Sequence, residues 1–156
     1  MESILDVSAL YTVAEVELIY KSKVKASNRP QITSSMDAYK VLLKVWDENK
    51  IEFVEQFKVL FLNRANKVLG VFDVSTGGIS GTVADPRVIF AAALKANCCG
   101  IVISHNHPSG NLKPSRQDEE LTQKIKQAGQ LLEIKLLDHV IICNEGYFSF
   151  ADEGLL

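Results

Sequence analysis

The sequence has few cysteines, and they are not arranged as in a metal knuckle or a disulfide framework. Its 156 residues include three cysteines, of which Cys98 and Cys99 are adjacent, and there is no C-x-x-C pair. This excludes a cysteine zinc knuckle and argues against a secreted, disulfide-stabilised protein. We therefore expect reduced thiols, with Cys98 and Cys99 in or near the core.

Long apolar runs and a large excess of either charge are also missing. No run is long enough to cross a bilayer, and the first 20 residues lack the basic leader and apolar core of a signal peptide. We expect a cytoplasmic protein with no membrane partner. The formal net charge of -2 gives no general attraction for nucleic acid, so DNA binding requires a local basic patch.

What is present is an ordinary globular composition, with 47% hydrophobic and 23% charged residues. The residue patterns predict an α/β fold, a single domain in which helices sandwich a mixed β-sheet. An N-terminal arm and edge strand (1–29) precede the domain proper (30–156). We expect strands at 52–62, 67–74, 100–104, 134–143 and 147–150, and helices at 34–47, 86–97 and 115–128, the last ended by Gly129.

The N-terminal region allows two interpretations. Residues 1–12 resemble a loose arm, and 15–25 alternate as a strand that places Lys21, Lys23 and Lys25 on one face. Lysines that protect an exposed edge strand are the simpler explanation, and such an edge makes a homodimer plausible. The alternative is a nucleic-acid patch that also uses Arg29.

The chemistry-bearing residues follow the apolar strand at 100–104. This strand leads directly into His105 and His107, and alternate residues of extended backbone point the same way. Asp118 lies eleven residues beyond His107, in the first turn of a helix. Two histidines and a carboxylate are a common ligand set for catalytic zinc, with a fourth position for a water whose pKa falls to about 7.

Each part of this arrangement also has a purely structural explanation. His105 and His107 can belong to a polar loop, and the run from Ser115 to Asp118 is a capping box in which Asp118 stabilises the helix N-terminus. From spacing alone both explanations stay open. His139, in an apolar strand, is typical of a buried structural histidine whose tautomer Asp138 fixes, and a role behind the metal or toward substrate is the alternative.

A longer motif favours the metal. The pattern H-x-H-P followed by S-x-x-D, from His105 to Asp118, resembles the JAMM (MPN) metalloprotease signature. The sequence is most similar to the RadC-like branch of that family over roughly residues 30–156. This resemblance implies a JAMM/MPN fold of the cytidine deaminase-like type. It rests on the stretches SHNHPSGNLKPSRQD, DPRVIFAAALKANCCGIVIS, LLDHVIIC and YFSFADEGL.

The resemblance also implies residue roles. His105, His107 and Asp118 are the expected zinc ligands, and the Ser115 hydroxyl helps to hold the oxyanion of a tetrahedral intermediate. A glutamate on an earlier strand acts as general base, and Glu55 matches by position. A carboxylate among aromatic residues is costly without a partner, and burial raises its pKa toward the range of a general base. Glu52, on the opposite face of the strand, is the rival.

The expected function is a zinc hydrolase of metallopeptidase type that cleaves an amide or isopeptide bond of a peptide or protein. The alternative is a DNA-repair-associated module of the RadC type that binds DNA or protein without peptidase activity. The first 30 residues are too short for the helix-hairpin-helix region typical of RadC-like proteins, which weakens the repair alternative. Asn106 replaces the Ser or Thr usual in deubiquitinating members, which argues against assuming an isopeptide substrate.

Overall fold

Five strands and three α-helices form the part of the chain that the computed structural model describes, residues 13–17, 19–78 and 82–156. Within these residues no helix is both long and apolar enough to cross a lipid bilayer. A short 3-10 turn (Ala26–Asn28) comes first. The elements that follow are α1 (Ser35–Val45), β1 (Gln56–Leu62), β2 (Val68–Thr76), α2 (Pro86–Lys95), β3 (Gly100–Asn106), α3 (Arg116–Leu131), β4 (Lys135–Cys143) and β5 (Gly146–Ser149).

The strands form one sheet in the order β2-β1-β3-β4-β5, so β3 is central. Its neighbour β4 runs parallel to it and the other pairs are antiparallel, which confirms the predicted mixed sheet. All seven residues of β3 are buried, which was expected for residues 100–104 from their apolar run. β3 continues through His105 and Asn106, two residues further than predicted, because β1 pairs with it as far as His105 and β4 as far as Asn106.

Helices cover both faces of the sheet, which confirms the predicted sandwich. Alternate residues of β1 point to opposite faces: Val59 and Phe61 pack with the residues of α2 and α3, whereas Leu60 and Leu62 pack with α1. The unbroken apolar run 59–62 of β1 is therefore buried on both sides of the sheet.

Two helix starts agree with the sequence. The Asp85 side chain accepts from the Arg87 amide at 2.9 Å, with Pro86 at the first helical position of α2. At α1 the Ser34 hydroxyl accepts from the Asp37 amide at 3.3 Å. The Asp37 carboxylate in turn accepts from the amide of Thr33 at 2.9 Å, just before the cap.

One strand prediction was wrong at its start, and another was wrong for all of its described residues. β1 begins at Gln56 and not at residue 52, because residues 51–54 form a turn. Residues 15–17 and 19–25 form no strand and are exposed, whereas Leu18 and residues 1–12 lie outside the described residues. From the described residues of this segment, the Tyr20 hydroxyl donates a hydrogen bond to the sheet, to the Leu69 carbonyl at 2.9 Å. Alternation alone does not make a strand, because a strand needs a ladder of backbone partners.

Two further predictions also needed correction. Cys98 is buried, as expected, but Cys99 is exposed. Gly129 does not end α3, which continues to Leu131. A Cβ at Gly129 would lie 2.2 Å from the carbonyl oxygen of Ile134, so glycine serves here for close approach between the helix and the start of β4.

Candidate metal centre

The end of β3 presents two histidine rings to one point. His105 lies on the strand with its side chain 1% exposed, and His107 follows directly, its amide bonded to the Ile142 carbonyl at 3.1 Å. The two Nε2 atoms are 3.0 Å apart. His107 Nδ1 bonds to the Asn111 carbonyl, which can only accept. His107 therefore carries its hydrogen on Nδ1, and its Nε2 lone pair is free when the ring is neutral.

Asp118 completes the group from the first turn of α3. Both halves of the predicted capping box form: the Ser115 hydroxyl accepts from the Asp118 amide at 3.1 Å, and Asp118 Oδ2 accepts from the Ser115 amide at 2.8 Å. Asp118 Oδ1 lies 3.4 Å from His105 Nε2, and Oδ2 lies 3.8 Å from His107 Nε2. The Asp118 side chain can thus cap α3 and approach both histidines at the same time.

His105, His107 and Asp118, called the metal-binding group below, fit a metal ion. Their ligand atoms all lie within 4.8 Å of one another. A tetrahedral zinc about 2.0–2.1 Å from each ligand spaces those atoms about 3.3 Å apart. The two Nε2 atoms, 3.0 Å apart, and the pair His105 Nε2 and Asp118 Oδ1, 3.4 Å apart, lie on either side of that spacing. His107 Nε2 lies 3.8 Å from the other carboxylate oxygen, Oδ2. Each histidine also has a partner for Nδ1, as metal-bound histidines usually do.

Charge is distributed in the group as a cation site requires. Burial acts to raise the pKa of Asp118, but the neighbouring rings of His105 and His107 and the Ser115 amide outweigh it and hold that pKa well below its ordinary value. Burial acts to lower the pKa of His107, but hydrogen bonds to Asp118 and the Asn111 carbonyl outweigh it and raise the pKa. Asp118 is therefore ionised at neutral pH and available as a ligand.

Glu55 lies beside this group, immediately before β1. Phe57 pairs with His105 in the antiparallel register of β1 and β3, and continuing that register places Glu55 across from His107. Burial raises the pKa of Glu55, and the nearby His105 and His107 offset part of the rise. Glu52 lines a cleft that His107 also borders, but its carboxylate accepts from the Asn144 amide at 2.8 Å. The register thus favours Glu55 over Glu52.

A family model described as RadC-like JAB domain matches residues 32–155. The chain belongs to the RadC-like JAB domain family. It is 41% identical over 151 residues to a UPF0758 protein of Flavobacterium johnsoniae and 36% identical over 149 residues to one of Chlorobaculum parvum. These matches cover 96% and 95% of this chain, but it spans only 65% of the length of either relative. The five-stranded α/β fold is consistent with a JAB/MPN domain.

In this RadC-like JAB domain, Asn106 has a role that the sequence reasoning missed. Its fully buried side-chain amide donates to the carbonyls of Ile51 at 2.7 Å and Val54 at 2.9 Å, and its Oδ1 accepts from the Gln56 amide at 2.7 Å. These three bonds hold the segment that carries Glu55. A polar residue inside a buried strand end was the available signal, because such a residue needs partners.

His139 is fully buried directly behind His105. Its Nε2 lies 2.8 Å from His105 Nδ1, and its Nδ1 lies 2.7 Å from Thr122 Oγ1. Burial lowers its pKa well below the ordinary value. The prediction that Asp138 fixes the ring was wrong: its carboxylate accepts from the backbone amides of His139 and Ala151 and from the Ser149 hydroxyl. The missed signal for Thr122 was its position four residues after Asp118, on the same helix face.

Proposed function

We propose that this chain is a zinc-dependent hydrolase of metallopeptidase type that cleaves an amide or isopeptide bond in a peptide or protein. The observation that carries the proposal is the spacing of the metal-binding group together with its accessibility. The side chains of His107 and Asp118 are each 17% exposed, so a substrate can approach. An accessible coordination position is typical of catalytic zinc and argues against a purely structural ion.

Zinc suits these donors, because two imidazole nitrogens and one carboxylate oxygen with an open position are a common catalytic zinc set. When bound, zinc supplies a Lewis acid that polarises the scissile carbonyl and lowers the pKa of a water to about 7.

Glu55 and Ser115 have separate tasks in the proposed reaction. The Glu55 carboxylate accepts a proton from the water that adds to the carbonyl carbon, and passes it to the leaving nitrogen as the C–N bond breaks. Its raised pKa brings the carboxyl closer to neutrality, which suits a group that takes up and returns a proton. Ser115 is exposed, and its hydroxyl accepts from the Asp118 amide, so its O–H can donate to the carbonyl oxygen as negative charge develops there.

The alternative function is a RadC-type module that binds DNA or protein without peptidase activity. It gains support if the basic residues Lys21, Lys23, Lys25 and Arg29 lie beside the metal-binding group. Tyr20, next to Lys21, donates a hydrogen bond to Leu69 in β2. The next residue of β2, Gly70, pairs with Phe61 of β1, which in turn pairs with Ile101 near the start of β3. That is the end of the sheet opposite His105. This placement favours the hydrolase, and we keep the alternative as an outcome of the test.

The test compares two glutamate variants. Glu55→Gln should bind zinc as tightly as wild type but cleave about 10²–10⁴-fold more slowly, the usual contribution of a general base. Zinc is measured by competition with a chromogenic chelator. Cleavage is measured on a mixed-sequence peptide library with isopeptide-linked members, with mass spectrometry of new amine termini. Glu52→Gln is the matched control, because the same change removes a charge nearby, and it should keep both zinc and activity.

His107→Ala should lose zinc and cleavage together. Retention of zinc by folded His107→Ala overturns the ligand assignment, and full activity of Glu55→Gln overturns its role as base. If zinc-loaded wild type cleaves no member of the library, the peptidase proposal is contradicted and the alternative, a binding module, is favoured. A DNA-binding titration of the same protein then tests that alternative.

A further inference from the structure

A buried polar relay leads to the metal-binding group from behind and ends at His105, and its other two members have no part in the proposed chemistry. It consists of Thr122, His139 and His105, whose exposed fractions are 0%, 0% and 1%. Thr122 Oγ1 lies 2.7 Å from His139 Nδ1, and His139 Nε2 lies 2.8 Å from His105 Nδ1. Polar side chains this deeply buried are costly unless every donor meets an acceptor, so the hydrogens along the relay have a defined order.

Thr122 determines which atom donates each hydrogen along the relay. Its hydroxyl donates to the Asp118 carbonyl one helical turn earlier, at 2.6 Å. A hydroxyl has a single hydrogen, so toward His139 the oxygen of Thr122 acts as acceptor. His139 therefore carries its hydrogen on Nδ1 and presents the lone pair of Nε2 to His105.

The same reasoning fixes the position of the hydrogen on His105. Because His139 Nε2 accepts, His105 must donate from Nδ1, and the lone pair of its Nε2 then faces His107 Nε2 and Asp118 Oδ1, at 3.0 and 3.4 Å. The Asn111 carbonyl imposes the same tautomer on His107. Phe150 stacks on His139 with ring centroids 4.5 Å apart, which prevents the ring from turning to another partner.

We propose that Thr122 and His139 are positioning residues that hold His105 in the Nδ1–H tautomer, so that its Nε2 is ready to bind the metal ion. The inference rests on the metal centre of the proposed function, but not on hydrolysis. Thr122 lies on the helix that carries Asp118, so one element supplies a ligand and sets the tautomer of another. Partners behind a ligand commonly change metal affinity 10–100-fold when removed.

The first test uses the metal-free protein and long-range ¹H–¹⁵N correlation spectra of the histidine rings. Wild type should show His139 and His105 both protonated on Nδ1. Thr122→Val, nearly isosteric but without the hydroxyl, should shift both rings to the Nε2–H tautomer, because His139 Nδ1 then has no acceptor. Thr122→Ser restores the hydroxyl and should restore the wild-type spectrum. Protonation of His139 on Nε2 in wild type overturns the relay without any variant.

The second test measures zinc affinity by chelator competition. Thr122→Val should bind zinc about 10–100-fold more weakly than wild type, and Thr122→Ser should bind within a few-fold. Ser104→Ala is the control, because it removes another buried hydroxyl bond, to the Val140 carbonyl at 2.7 Å, without touching a ring nitrogen. It should leave zinc affinity unchanged.

The two proposals fail in different ways. Folded Thr122→Val that binds zinc like wild type, with unchanged melting of the metal-free protein, refutes the relay and leaves the metal centre intact. Wild type that binds no zinc refutes the metal centre, whereas the ring spectra still decide the relay.

Discussion

Ser115 and Asp118 each stabilise α3 independently of any metal. They exchange two hydrogen bonds across the first turn, and the Asp118 charge lies where the helix dipole favours it. The two explanations of this motif, cap and site, therefore do not compete. A substitution at either residue changes stability and chemistry together, so the two effects have to be separated by a control.

Ser34 provides that control for Ser115. Both hydroxyls cap a helix by accepting from the amide three residues on, but Ser34 belongs to α1, which packs on the other face of the sheet. Ser34→Ala and Ser115→Ala should each lower the free energy of unfolding by about 1 kcal/mol, measured by urea denaturation. Only Ser115→Ala should also lower kcat, by about 10²–10³-fold, because it removes a proposed oxyanion donor. Equal kcat in both variants would contradict that role.

At the scale of elements, α3 and the start of β4 approach each other unusually closely. Gly129 accepts a backbone hydrogen bond from the Ile134 amide at 2.8 Å, and its missing side chain makes room for the Ile134 carbonyl. The helix that carries Asp118 and Thr122 is thereby fixed against the strand that carries His139.

Gly129→Ala should destabilise the protein by about 1–3 kcal/mol through overpacking, although alanine favours a helix by about 1 kcal/mol. Gly70→Ala in β2 is the comparison, because a Cβ there meets no atom within 4 Å. It should leave the urea midpoint nearly unchanged. If Gly129→Ala has the same free energy of unfolding as wild type, α3 and Ile134 move apart without loss of stability, and the prediction is wrong.

At the scale of the whole molecule, the metal-binding group joins distant parts of the chain. His105 and His107 come from the central strand and its end, Asp118 comes from α3, and Glu55 reaches the same place from the start of β1. An ion held there connects the middle of the sheet to a helix that packs on one face. Zinc should therefore stabilise the folded chain as a unit.

Zinc at a free concentration 100 times its Kd should raise the free energy of unfolding by about 2.7 kcal/mol. For a chain of this length the Tm should rise on the order of 5–10 °C, measured by calorimetry, and a chelator should reverse the rise. His107→Ala should show no rise. An equal rise in both proteins would place the zinc elsewhere, and Cys99→Ser would then test the exposed thiol.

The sequence by itself determined the features that depend on neighbours along the chain. The apolar run before His105 predicted a buried central strand, and alternation and caps located three helices and most strands. The motif from His105 to Asp118 brought the three candidate ligand residues into one stretch. Such features follow from local periodicity and capping chemistry, which need no knowledge of distant contacts.

Only the tertiary structure decided the contacts between distant segments. The register of β1 on β3, secured by Asn106, places the proposed base Glu55 across from His107, and packing places Thr122 rather than Asp138 against the His139 ring. Residues 15–17 and 19–25 alternate like a strand but have no ladder of backbone partners. Gly129 lies inside α3 and not at its end, and a side chain at position 129 would collide with the Ile134 carbonyl. The physical reason is the same each time: hydrogen-bond partners and steric limits come from residues far away in sequence, and no local pattern specifies them.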